Sequence, residues 1–284
     1  MAVTSSQPLA QPPTLFDTHC HLDYIAAGEF GHEPDTCLHT VWQRAQAHGV
    51  RFAVNPSVNL PLWPRVLAVA EALEGVYAAV GIHPCEAAEE VVSYPHWLEA
   101  LEAAAQHPKV VALGETGLDY YHTEGAKGSP EAQALQRDAF LKTLQLGVKL
   151  NLPTIVHCRE AEEDTAATIA QVPQAQGVMH CFGGDAAFAE RMVAEHGFYI
   201  SFAGNVTFKK AVPLQEAAKA MPWEYLLVET DAPFLSPVPE RGKPNEPYRV
   251  SHVAQYLAEL RGVSVAYLAE RTTENALRLF NRVT

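Results

Sequence analysis

Six side chains that can bind a divalent cation stand at or near the ends of short apolar runs in this sequence. They are His19 and His21 in Asp17-Thr-His-Cys-His-Leu-Asp23, Glu115 after Val-Val-Ala-Leu-Gly, His157 in His-Cys-Arg159, His180 in His-Cys-Phe, and Asp231 after Leu-Leu-Val-Glu-Thr. Successive strand side chains alternate faces, so imidazoles two residues apart, as at His19 and His21, point the same way and can grip one metal from a single strand. The same spacing also suits a pair of hydrogen-bonded core histidines. Glu115 and Asp231 each close an apolar run, where a carboxylate is costly to bury without something positive beside it. Together, four imidazoles and two carboxylates match the nitrogen and oxygen donors of a hydrolase working with two divalent cations.

The elements that must position these groups follow from an alternation of β-branched runs with Ala-, Leu-, Glu- and Gln-rich stretches. Strands are expected over 14–23, 51–58, 76–84, 110–118, 152–159, 177–182, 198–206 and 226–232, with helices over 61–73, 96–106, 132–146, 185–196 and 214–219. Ser129-Pro130-Glu131 is a helix start, with a capping hydroxyl, a proline at the first helical position and an acid at the positive dipole end. Eight strands alternating with helices predict an α/β fold of the (β/α)8 (TIM) barrel type. The length of 284 residues suits such a barrel, which needs about 250. A doubly wound open sheet competes, but no GxGxxG follows the first strand. The expected organisation is a disordered or loosely attached tail over 1–13 and one barrel domain over 14–284. In a barrel, chemistry belongs at the C-terminal strand ends, where all six donors fall.

Composition sets outer limits. Net charge is −13, with 33 acidic against 20 basic residues, which disfavours a broad basic footprint on duplex phosphates but not a narrow site whose cations supply the positive charge. Five cysteines are scattered without a CxxC pair, against a disulfide framework or a cysteine-type zinc site. Cys20, Cys158 and Cys181 alternate with the donors and are expected to face outward as small hydrophobes. The N-terminal residues do not read as a signal peptide and no stretch is apolar enough to span a membrane, so a soluble, cytoplasmic protein is expected, with no membrane association and no obligate protein partner evident.

Ordered motifs run through nearly the whole chain: DTHCHLD at 17–23, then GIHP, GETGLDYY, HCR, HCFGG, GFYISFAGNVTFKKA, LLVETDAP and TTENALRLF at 272–280. In this the sequence resembles the TatD-type deoxyribonucleases, among the amidohydrolase-like metallohydrolase barrels. The resemblance implies that His19, His21, Glu115 and Asp231 bind one metal and that Glu115, His157 and His180 bind a second, with Glu115 bridging. It implies two divalent cations per chain (Mg, Mn or Zn) and hydrolysis of phosphodiester bonds in nucleic acid, as a DNase or exonuclease acting on single-stranded DNA ends. The alternative is ester or amide hydrolysis with the same metals, such as deacylation of D-aminoacyl-tRNA. The sequence departs from the family at Cys85, where a histidine is frequent, at Pro244, and at Gly183-Gly184 after His-Cys-Phe. None of these touches an implied ligand.

Roles around the cations follow. Two cations would lower the pKa of a water held between them and neutralise charge on a phosphate. Asp231 is then the candidate general base as well as a ligand. His83, left over from the ligand set at the same mouth, is assigned to a phosphate oxygen or the leaving group. Arg159 shares a face with His157 and either clamps phosphate or makes a structural ion pair. Glu229, one layer below Asp231, orients a ligand. The proline-rich loop 232–250 is either a spacer or, through Arg241, Lys243 and Arg249, a substrate contact. Tyr120, Tyr121, Phe202 and Phe208 are candidates for stacking on bases, with core packing as the plainer role. Asn205 and Asp119 are expected to cap loops, and His122 is not expected to bind metal.

Overall fold

The computed structural model describes residues 12–33, 36–122 and 129–284. Most of the tail expected over 1–13 therefore lies outside the described residues. Eight parallel strands pair in sequence order: β1 (Leu15–Asp17), β2 (Val50–Pro56), β3 (Val76–Val80), β4 (Val110–Asp119), β5 (Thr154–Arg159), β6 (Gly177–Met179), β7 (Tyr199–Phe202) and β8 (Leu226–Val228). The ring closes between its first and last segments through Thr18 N donating to Val228 O (3.2 Å), Asp231 N to His19 O (2.9 Å) and His21 N to Ala232 O (2.7 Å). This is a (β/α)8 barrel.

The helices are α1 (Leu22–Ala26), α2 (Leu38–Ala47), α3 (Trp63–Ala72), α4 (Pro84–Ser93), α5 (Trp97–Ala104), α6 (Pro130–Leu150), α7 (Glu162–Ala170), α8 (Ala186–His196), α9 (Val212–Ala220), α10 (Val250–Arg261) and α11 (Val265–Leu279). Their ends follow local chemistry. Ser129 accepts the Ala132 N–H (3.1 Å) ahead of Pro130 to open α6, and Asp185 accepts the Phe188 N–H (2.9 Å) to open α8. Each satisfies a backbone donor that the first helical turn leaves unpaired.

The core has two parts. One fills the layer between barrel and helices. The other takes at least one side chain from every strand: Phe16, Val54, Ala79, Val111, Ile155, Val178, Tyr199 and Leu227, with Phe280 from the end of α11. A cluster fed by all eight strands is the barrel interior. Strand periodicity then places a chemical layer above an apolar one: His157 stands two residues beyond Ile155, His180 two beyond Val178, and Glu229 two beyond Leu227.

Several expected boundaries are corrected. β1 ends at Asp17, not Asp23, and α1 occupies Leu22–Ala26. His19 and His21 therefore lie on an extended segment beyond the strand, held by the ring-closing bonds above and by Cys20 N donating to Val54 O (3.0 Å). β3 stops at Val80, and α4, absent from the expectation, starts directly after His83. Phe202 is fully buried in core.

Candidate metal centre

Glu115 stands at the middle of the six donors, and its two oxygens face different groups. Oε1 lies 3.3 Å from both His19 Nε2 and His21 Nε2. Those two nitrogens are 3.3 Å from each other and 3.7 and 3.8 Å from Asp231 Oδ1. Oε2 lies 2.9 Å from His180 Nε2 and 3.9 Å from His157 Nδ1, which are themselves 3.3 Å apart. The backbone sets this up at an irregularity in β4, whose register with β5 shifts between Leu113 and Thr116. There the Gly114–Glu115 peptide is cis and Glu115 N turns to donate to Ser57 O (3.0 Å). A shift of this kind re-aims one side chain without ending the strand.

A further ring of polar groups fixes the imidazoles. Asp119, fully buried, accepts from His157 Nε2 (3.0 Å) and His122 Nδ1 (2.8 Å), and from the backbone N–H groups of Tyr121 (2.9 Å) and His122 (2.7 Å). Burial pushes the Asp119 carboxyl up, but the His157 and His122 hydrogen bonds outweigh it and hold the group well below the usual range. Donation of Nε2–H to Asp119 leaves Nδ1 as the nitrogen of His157 that can offer a lone pair. Glu229 accepts the Cys181 N–H (2.7 Å) and stands 3.5 Å from His180 Nδ1, beneath the donors. Asp17 accepts the Thr230 N–H (2.8 Å) and hydroxyl (2.6 Å), fastening the segment that carries Asp231 to the end of β1.

The donor set fits cations. Imidazole nitrogens face imidazole nitrogens at 3.3 Å, a contact in which at most one can donate, and His19 Nδ1 and His21 Nδ1 are buried without a hydrogen-bond partner. Edges near 3.3 Å are also those of a tetrahedron whose centre lies about 2.0–2.1 Å from its corners, the zinc–nitrogen bond length. Burial lowers His19 to about 4, so its lone pair is free at neutral pH, and raises Asp231 to about 7, the response of a carboxyl with too little positive charge nearby. Burial also pushes Glu115 up, but His180 and His19 outweigh it and keep the group ionised.

His83 behaves differently. It caps α4, and its Nδ1 accepts the Cys85 N–H at 3.1 Å. Burial lowers its pKa to about 3, so the ring is neutral, and with Nδ1 accepting, its proton sits on Nε2, 3.8 Å from Glu115 Oε2. A ring in that tautomer donates from its cleft-facing nitrogen.

These groups floor a cleft of about 980 Å³, near the upper end of the roughly 300–1,000 Å³ usual for small-molecule sites. Arg159 lines it, its guanidinium 4.1 Å above the Tyr121 ring centroid. Arg241 and Lys243 do not: Arg241 lies 4.0 Å over Phe208, and Lys243 pairs with Glu240 at 2.7 Å. Arg249 is buried, donating to Ser236 Oγ (3.1 Å) and to the Pro244 carbonyl. Cys20 is core, whereas Cys158 and Cys181 reach the cleft wall instead of turning wholly outward. Sequence reasoning underrated Asp119, which does more than cap a loop. It lies four residues past Glu115, a spacing of even parity that could have flagged it. Tyr24, Phe30 and Phe234, which also line the cleft, were not singled out.

Comparison with known proteins agrees with this architecture. The family model described as "TatD related DNase" matches residues 16–281. YcfH of Escherichia coli K12 is 40% identical over 269 residues, covering 94% of this chain and 96% of that protein. YabD of Bacillus subtilis is 40% identical over 268 residues, covering 94% and 98%. Both are described as uncharacterized metal-dependent hydrolases. The crystal structure of YjjV, a TatD homolog from E. coli K12, superposes with a TM-score of 0.80 at 31% identity, covering 94% of this chain and 98% of that one. The chain belongs to the TatD-related DNase family of metal-dependent hydrolases.

Proposed function

We propose that this protein is a two-metal phosphodiesterase that trims single-stranded DNA from an end. The observation that carries the reading is the division of Glu115, one carboxylate oxygen toward His19 and His21, the other toward His180 and His157. In this reading His19, His21, Glu115 and Asp231 hold one cation, and Glu115, His157 and His180 the other. Two bound cations would supply an activated water and neutralise charge on a phosphate.

The chain's own residues do the rest. Asp231, which lines the cleft, takes the proton from the attacking water. His83 donates from Nε2 to a phosphate oxygen or to the leaving oxygen. Asp119 and Glu229 hold His157 and His180 in the ring orientations that the cations need. Among the described residues, Arg159 is the one arginine or lysine lining the cleft, beside Glu86, Glu160 and Glu162. So sparse a cationic lining suits one strand end better than a duplex, whose grip needs many phosphate contacts.

The test is turnover by metal-stripped protein resupplied with Mg, Mn or Zn, offered single-stranded DNA, duplex DNA, RNA and a D-aminoacyl-tRNA. Single-stranded DNA should be shortened from an end, and Glu115→Ala should reduce the rate to background. Wild-type rates in Glu115→Ala, or deacylation without DNA cleavage, would overturn the proposal.

A further inference from the structure

The cleft wall beside His21 is aromatic, and one of its rings is held out in solvent. Phe30 is 55% exposed. Its ring centroid lies 4.7 Å from Phe234 and 5.1 Å from Tyr24, each approached edge to face. Tyr24 in turn stacks on the His21 imidazole at 5.1 Å, and Phe234 meets the same imidazole at 6.0 Å. The rings thus form a continuous surface from a metal-facing histidine to the rim.

That surface is braced by its neighbours. Phe30 adopts φ +52, a conformation that bulky residues seldom take. Its segment is pinned two residues later, where the His32 ring makes a hydrogen bond with the Asn245 carbonyl (3.0 Å). Behind Tyr24, the Arg65 guanidinium sits 5.3 Å from the ring centroid while bonded to Asp23 and Glu29. An exposed phenyl ring that lines the cleft does not serve the core.

Its surroundings select the occupant. The floor is built for cations that would take a phosphate. The cleft is also lined by Arg159, which sits over the exposed Tyr121 ring, and by Glu86, Glu160 and Glu162. These acids in the cleft lining repel a long polyanionic tract, so what enters must bring little charge past the phosphate on the floor. A flat, uncharged ring joined to that phosphate through one sugar meets this requirement. We propose that Phe30, with Tyr24 and Phe234, is the stacking platform for the nucleobase next to the scissile phosphate, so that the enzyme selects for the base at a strand end. This deepens the phosphodiesterase reading and rests on it.

The experiment compares kcat/KM on a single-stranded oligonucleotide with two analogues, each carrying a tetrahydrofuran abasic residue at one terminus. Stacking of one base on an aromatic side chain is worth roughly five- to a hundredfold in affinity. The wild-type protein should prefer the natural end over one of the abasic ends by a factor in that range. Phe30→Ala should bring the ratio close to one, and Phe30→Trp should keep it. Equal turnover of natural and abasic ends by the wild type, or an unchanged ratio in Phe30→Ala, overturns the platform and leaves the phosphodiesterase reading standing. Failure to cleave any oligonucleotide with any of the three metals removes both.

Discussion

Asp119 shows how one buried carboxylate can orient a donor of the proposed metal centre from behind. It spends one oxygen on two backbone donors and the other on the His157 and His122 rings. Asp119→Asn keeps the size and an acceptor for the backbone. It removes the charge that fixes the His157 proton on Nε2, so the Nδ1 lone pair is no longer guaranteed to face Glu115. Cation affinity should fall about ten- to a hundredfold, with circular dichroism and Tm nearly unchanged, as read by titration of metal-stripped protein. Affinity equal to wild type would mean that His157 is oriented by something else. His122→Ala should change affinity far less, since Asp119 keeps its bond to His157. His83 makes the complementary case. Cation content should survive His83→Ala while kcat falls, because its Nδ1 lone pair is already engaged by Cys85 N–H. Loss of metal in that variant would make it a ligand after all.

At the scale of elements, β4 carries the most constraint. Gly117 has φ +127, and a Cβ there would stand 2.0 Å from the His157 carbonyl oxygen, so β4 and β5 approach in a way that no side chain tolerates. Gly117→Ala should cost about 1–3 kcal/mol in strain alone and more once the strands part. Because the parting strands carry Glu115 and His157, the urea midpoint and the cation affinity should fall together; a drop in one without the other would separate packing from the site. The alternation of strands and helices, and the six donors, were legible because periodicity and residue chemistry are local. Element ends were not. β1 stops at Asp17 because the segment beyond it is held by Val54 and Ala232, partners distant in sequence. Proline density marked 232–250 as ordered but gave no direction, so Arg249, which turns inward to Ser236 and Pro244, looks no different in sequence from a residue facing the cleft. The α4 start was within reach, since Pro84 follows a capping residue and Glu86 lies in the first turn.

For the whole molecule, charge and metal are coupled. On the proposed phosphodiesterase reading, a chain of net charge −13 that gathers buried acids around its cleft would need cations to meet a polyanion, so DNA binding should be cation-dependent and only weakly weakened by salt. Few phosphate contacts imply a slope of log K on log salt of about −0.7 per contact on single strands. The same coupling sets a pH dependence. In the metal-free protein burial raises Asp231 to about 7, above its ordinary 3.8. The folded state therefore keeps a proton that the unfolded chain loses between these values, and this group makes metal-free stability decline as pH rises from about 4 to 7. Burial pushes His180 down, but Glu115 outweighs it and raises the imidazole well above its ordinary value, so it too is protonated near neutrality. A cation needs both groups without their protons. Binding should therefore release more than one proton per chain at pH 6 and fewer at pH 8, once Asp231 is already ionised, with affinity rising across that interval. Calorimetry in two buffers of different ionisation enthalpy counts these protons directly, and the rise in Tm on adding a fixed cation concentration should be larger at pH 8 than at pH 6. Equal proton counts at both pH values would mean that Asp231 does not join the centre, and the division of donors into two cation sites would lose one of its members.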